Sequence, residues 1–245
     1  MLERPPQRKV LPQWSLPLLL QVLLKPPFEP LQTADLKHLT LKTVFLTALA
    51  SGRRRSELHA LCFDSAHFRQ NQDQSLVTLY PDIDFVAKSQ VLDSVAAPIK
   101  LQAFTSVGGE DPDRKLCPVR ALLHYRKVTS NPALRKGRRK LFVSYKLAKT
   151  DEIKRATISS WLVKMIKLAY ESERGNPQTL QLAKVSAHEV RALSASWSVY
   201  RGVPMDAIME ACTWRAKSTF SDFYLRDMCS FLDDMFVLKP SVAGQ

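Results

Sequence analysis

"SAHEVRALSASW", residues 186–197, sets the problem. Ser186, followed three residues later by Glu189, has the form of a capping box. In that arrangement a hydroxyl and a carboxylate each take a free N–H group at the start of a new helix. The stretch therefore predicts a helix opening at Ser186, with His188 and Arg191 at i and i+3 on one face. Both fall near the first turn, where free N–H groups and the helix dipole favour an anion. A surface pair without a role fits the same motif, so the decision rests on the rest of the chain.

Composition narrows the classes. Among 245 residues, 36 Lys+Arg stand against 23 Asp+Glu, a formal charge of +13. Such an excess favours polyanionic partners, nucleic acid ahead of an anionic membrane surface. Hydrophobic and charged contents of 45% and 24% are those of an ordinary globular chain. Cys62, Cys117, Cys212 and Cys229 are scattered with no CxxC pair, which argues for free thiols in a reducing compartment. The apolar run "SLPLLLQVLL" is shorter than the ~20 residues a bilayer needs and has no small-residue cleavage site. A nuclear or other intracellular location follows as the expectation, with no membrane partner.

Periodicity and punctuation predict an α+β fold, mostly α, with a small antiparallel sheet. Residues 1–13 read as a flexible basic, Pro-rich leader. "WSLPLLLQVLLK" is a short helix ended by "PPFEP". Thr33 is the expected cap of "ADLKHLTLKTVFLTALAS", whose Leu36, Leu39, Val44, Leu46 and Leu49 supply an apolar face. Gly52 breaks that helix, and "RRRSELHALCF" turns into another. "SLVTLYP" and "DFVAKSQ" carry the β-branched and aromatic content of two strands joined by "PDID". "PVRALLHYRKV" is a helix opened by Pro118, and "LFVSY" a strand or extended connector. Four helical patterns follow: "ATISSWLVKMIKLAYESE", the quoted stretch, "PMDAIMEAC" and "KSTFSDFYLRDM". One domain over 14–229 and a tail over 230–245 result. The tail's Phe231, Leu232, Met235 and Phe236 form an apolar stripe for this domain or a partner.

Several residues can carry phosphate chemistry. Arg54 sits among three adjacent arginines whose mutual repulsion an anion or water must offset; a solvated turn is the plainer alternative. Lys88 ends the expected second strand, where a solubilising lysine is routine. Phe220 and Tyr224 stand at i and i+4, as an aromatic core stripe would. The loop "RKGRRK", residues 135–140, offers Arg138, Arg139 and Lys140 to a DNA backbone or as a nuclear import signal.

Taken in order, these motifs resemble the catalytic domain of tyrosine recombinases (phage-integrase-like enzymes), most closely the branch of DIRS-type retrotransposons and Crypton-like elements. "ALASGRRRSELHAL" looks like the first-arginine box and selects Arg54, with Glu57 as supporting acid. "FVAKSQ" matches the β-hairpin lysine, Lys88, and "HEVR" the His-x-x-Arg box, His188 and Arg191. "CTW" stands where many members have Leu-Gly-His, which puts Trp214 in the His/Trp position. "STFSDFY" carries the nucleophile, Tyr224, at a longer spacing from Trp214 than the commonest bacterial members show; Phe223, at that shorter spacing, has no hydroxyl.

The resemblance implies a DNA strand transferase, a site-specific recombinase or integrase working through a 3′-phosphotyrosyl intermediate. Arg54 and Arg191 would grip the phosphate, His188 would donate or move protons, and Lys88 would protonate the leaving 5′-oxygen. Trp214 can only donate its indole N–H. No cofactor or metal is called for. The partners implied are double-stranded DNA and further copies of the chain assembled on it. The short leader sets the expectation that the family's N-terminal core-binding domain is absent, which bears on the activity of this form. A catalytically silent, domesticated DNA-binding module and a type IB topoisomerase-like nicking–closing enzyme are the alternatives.

Overall fold

The computed structural model describes residues 14–87, 96–104, 112–146, 151–172, 185–214 and 217–225. The chain enters through α1 (Leu16–Leu23), where Pro17 lies in the first turn and the Ser15 hydroxyl accepts from the Leu18 N–H. Helix α2 (Leu36–Ser51) follows. Its cap is Asp35, whose carboxylate takes the His38 N–H at 2.8 Å. Thr33, the expected cap, instead donates its hydroxyl to the Pro30 carbonyl.

The expectation for α2 was an apolar stripe, but its residues from Leu39 to Ser51 are all buried. The polar ones are satisfied locally. The hydroxyls of Thr40, Thr43, Thr47 and Ser51 each bond the carbonyl one turn back, at 2.6–2.7 Å. Lys42 gives its ammonium to the Leu23 carbonyl and to Glu29, which Arg120 also grips with both terminal nitrogens. Burial pushes the Lys42 ammonium down to about 8, against the opposing pull of Glu29. A helix so enclosed is the centre of a core, and burying each Phe45, Leu41 or Val44 side chain contributes roughly 1.5–3 kcal/mol.

Around α2 pack α5 (Pro118–Thr129), α7 (Arg155–Ser172) and α8 (Ala187–Tyr200). Two short helices, α4 (Pro112–Lys115) and α6 (Pro132–Arg135), went unread in the sequence. A three-stranded antiparallel sheet, in the order β1 (Phe68–Gln70), β2 (Leu76–Leu79), β3 (Ile99–Gln102), pairs Phe68 with Leu79 and Val77 with Leu101. These side chains, with Ile99, all face the core.

One strand expectation needs correction. β2 pairs with β1 on one side and β3 on the other, and the described part of "DFVAKSQ", residues 84–87, forms no strand. After Pro81, Asp82 spends its carbonyl and carboxylate on the N–H groups of Phe85 and Asp84, which turns the chain, and Val86 is left exposed. Ile99-Lys100-Leu101-Gln102 alternates buried and exposed, as a half-buried strand must. "LFVSY" is a buried connector tied to the helical core by the Val143 N–H on the Tyr125 hydroxyl. Among the described residues no helix is long and apolar enough to cross a membrane.

Candidate functional site

Gly52 ends α2 in the left-handed conformation, φ 57°, and turns the chain toward α3 (Arg55–Ala60). Arg54 is the extended residue before α3, and the Glu57 carboxylate accepts its backbone N–H at 2.7 Å. The three arginines then diverge. Arg53 is buried and donates to the Pro98 carbonyl beside β3 and, at 3.4 Å, to Glu57. Arg54 turns toward Thr213. Arg55 stays exposed and bonds the Ser159 hydroxyl of α7 at 3.1 Å.

From the other side comes α8. The capping box read in the sequence is present: the Ser186 hydroxyl takes the His188 N–H, and Glu189 takes the Ser186 N–H. Glu189 also accepts the indole N–H of Trp14 at 2.9 Å, a tie across the whole chain. Ser194 fastens α8 to α2 through the Leu49 carbonyl. The result is a cleft of about 330 Å³, solvent at its mouth included, lined by Arg53, Arg54, Arg55, His188 and Arg191 with apolar walls from Ala48, Leu162, Ala187 and Val190. Among the described residues no carboxylate lines it.

Helix α9 (Met205–Ala211) brings up the third part. Its last turn closes with the Trp214 N–H on the Met209 carbonyl and Thr213 at φ 55°. For an L-residue the left-handed region costs about 1–2 kcal/mol, and a β-branched residue there is an outlier. The Thr213 hydroxyl donates to Glu57 at 2.9 Å and accepts from Arg54 at 3.1 Å. Arg191 gives one nitrogen to the Cys212 carbonyl at 2.6 Å and lies 3.6 Å from Glu57. Glu57, 3% exposed, thus serves as counter-charge to Arg53, Arg54 and Arg191 together.

The aromatic pair covers Arg191. Its guanidinium carbon stands 4.4 Å from the Trp214 ring centre and 5.6 Å from that of Tyr224, and the two rings are 4.8 Å apart. Tyr224 follows α10 (Lys217–Phe223), its N–H on the Phe220 carbonyl, and is half-buried. Phe220 is fully buried against Trp214, so the aromatic-stripe reading of this segment holds.

Burial pushes Arg191 down to about 10, still charged at neutral pH. It also pushes the neighbouring Cys212 thiol up to about 11, which makes that thiol unreactive. His188 lies below the usual histidine value, through partial desolvation first and then the charges of Arg55 and Arg191. Among the described residues, the buried donors Arg191 Nε and Nη1 and the Trp214 indole N–H find no hydrogen-bond partner, although Nη1 lies 3.6 Å from the Glu57 carboxylate. Leaving such donors unmet costs about 1–3 kcal/mol each, and an oxyanion is the acceptor that suits them.

Arg54, His188 and Arg191 line one cleft, and Glu57, Trp214 and Tyr224 each lie against Arg191 without lining it, although the segments are up to 170 positions apart. Lys88 lies outside the described residues, as do residues 1–13 and the tail at 230–245. The basic loop divides. Arg138 is buried, its guanidinium given to the Arg135 and Leu134 carbonyls. Lys140 is paired with Asp82 at 2.8 Å, and Arg139 alone of the three is largely exposed. Only 7% exposed, Arg138 spends its guanidinium on carbonyls of its own loop. Thr213 and Arg55 were not singled out from the sequence: a threonine in a short turn gives no signal, and Arg55 looked like its neighbours.

No family model, curated protein or solved structure matches this chain.

Proposed function

We propose that this chain is a DNA strand transferase of the tyrosine-recombinase class, acting on double-stranded DNA through a phosphotyrosyl intermediate. The observation that carries the reading is the convergence of Arg54, His188 and Arg191 on one cleft with no carboxylate among its described lining residues, the Tyr224 ring lying 5.6 Å from the Arg191 guanidinium carbon. In this reading a phosphodiester sits against the two guanidiniums, whose planar forks suit its non-bridging oxygens. The Tyr224 oxygen attacks phosphorus, its proton passing to a neighbouring base, and the P–O5′ bond breaks. The leaving 5′-oxygen takes a proton, for which the resemblance nominates Lys88. His188 donates to the phosphate or relays protons, and the Trp214 N–H is a further donor to the pentacoordinate state. The net charge of +13 supports a polyanionic partner, while self-association on DNA and a nuclear site of action rest on the resemblance alone.

A second reading has its own support. Arg191 is only 3% exposed under two aromatic rings, as suits a module that binds DNA without cutting it. One assay separates the two: strand cleavage of a labelled nicked duplex by wild type and by Arg54→Ala. The transferase reading expects cleavage by wild type and a loss of about 10²–10³ in rate for the variant, as for removal of one pre-set donor. Binding without cleavage by wild type favours the module.

A further inference from the structure

Thr213 combines a strained backbone with a bridging hydroxyl. Its backbone is held at φ 55°, where glycine is at ease and a β-branched residue is not. Its hydroxyl has one proton to give and gives it to Glu57 at 2.9 Å, so its lone pairs face Arg54, which donates at 3.1 Å. The direct approach of Arg54 Nη1 to the Glu57 carboxylate is 4.0 Å, beyond hydrogen-bond reach. The threonine hydroxyl is thus the bridge through which a buried carboxylate orients a guanidinium that lines the cleft. The Thr213 carbonyl stands 3.5 Å from both terminal nitrogens of Arg54, on the same side. Strain of this kind persists where the surroundings over-determine it, and such positions cluster at ligand clamps.

We infer that Thr213 is a positioning residue of the cleft, one that fixes the Arg54 guanidinium at the angle from which it grips an oxyanion. The inference rests on the anion-binding part of the proposed function and not on cleavage. Glycine at 213 relaxes the backbone and removes the bridge. Serine keeps the bridge. Valine keeps the strain and the shape but has no hydroxyl.

The test is titration of the full chain with sulfate by calorimetry, beside thermal unfolding of each variant. Thr213→Gly is expected to melt no lower than wild type and yet to bind sulfate about tenfold more weakly, the loss of roughly one hydrogen bond to a charged group. Thr213→Ser should stay within about threefold of wild-type affinity, and Thr213→Val should fall with glycine. A purely structural role would move melting temperature and affinity together, whereas positioning moves them apart. Wild-type affinity in Thr213→Gly, or serine as weak as glycine, overturns the inference. A wild type that binds sulfate but never cleaves DNA sinks the transferase reading and leaves this one to be decided by affinity alone. A wild type that binds no sulfate overturns it together with the cleft.

Discussion

Replacing Glu57 by glutamine removes one charge and almost no volume. Glu57 is 3% exposed and faces Arg53 at 3.4 Å, Arg191 at 3.6 Å and Arg54 at 4.0 Å, while accepting the Arg54 N–H and the Thr213 hydroxyl. Glutamine can still accept through one oxygen, so part of the hydrogen bonding survives. What goes is the counter-charge to two buried guanidiniums, Arg53 and Arg191. Breaking a buried ion pair from one side costs about 3–5 kcal/mol, a large share of the ~5–15 kcal/mol that holds a domain folded. At a urea m-value near 3 kcal/mol/M, the unfolding midpoint of Glu57→Gln should fall by about 1 M. Sulfate should restore the variant more than it stabilises wild type, because the bound anion replaces the missing charge. Saturation at a hundredfold excess over Kd is worth about 2.7 kcal/mol for a simple site. A midpoint within about 0.2 M of wild type would refute the claim that Glu57 holds the arginines in place.

The loop gives two further outcomes and the histidine a third. Arg138→Ala, which strips two backbone carbonyls of their donor, should lower stability by about 1–3 kcal/mol. Arg139→Ala should leave stability within about 0.5 kcal/mol and reduce the salt dependence of DNA binding by about one unit of slope, read by fluorescence anisotropy across a salt series. His188 stays neutral in the folded chain at pH values where the unfolded chain already binds a proton near 6.5. The unfolded state therefore binds more protons there, and stability falls as pH drops through that window. Urea midpoints between pH 5 and 8 should show this slope weaken in His188→Gln; an unchanged slope would place the titrating group elsewhere.

Local signals were legible where they depended on few residues. The capping box at Ser186, the break at Gly52, Pro118 at the start of α5 and the Arg-Arg-Arg-Ser-Glu turn into α3 each act through near neighbours, and each stands where the sequence put it. Tertiary context overruled the rest. The threonines of α2 look like a polar face until their hydroxyls bond back to carbonyls and the helix is enclosed, and no periodicity reveals that. Lys42 looks solvated until Glu29, thirteen residues earlier, is seen to reach it. Phe85 and Val86 look like strand residues, but Asp82 commits the backbone to a turn, and the alternation of Ile99 and Leu101 wins the place beside β2. The site was legible as a set of residue types in order. Its geometry was not: Thr213 bridges Arg54 and Glu57 across more than 150 positions, and a charged triplet in a sequence does not say that only Arg55 stays outside.

The central claim is that Tyr224 is the group that becomes bonded to DNA. The measurement is mass spectrometry of the peptides left after the full chain reacts with a nicked duplex whose broken strand diffuses away. The reading expects a nucleotide on the peptide holding Tyr224, and none in Tyr224→Phe, a change that keeps the ring against Trp214 and so keeps the fold. A nucleotide on Tyr200 or any other residue, an adduct that survives in Tyr224→Phe, or no adduct from wild type would contradict it.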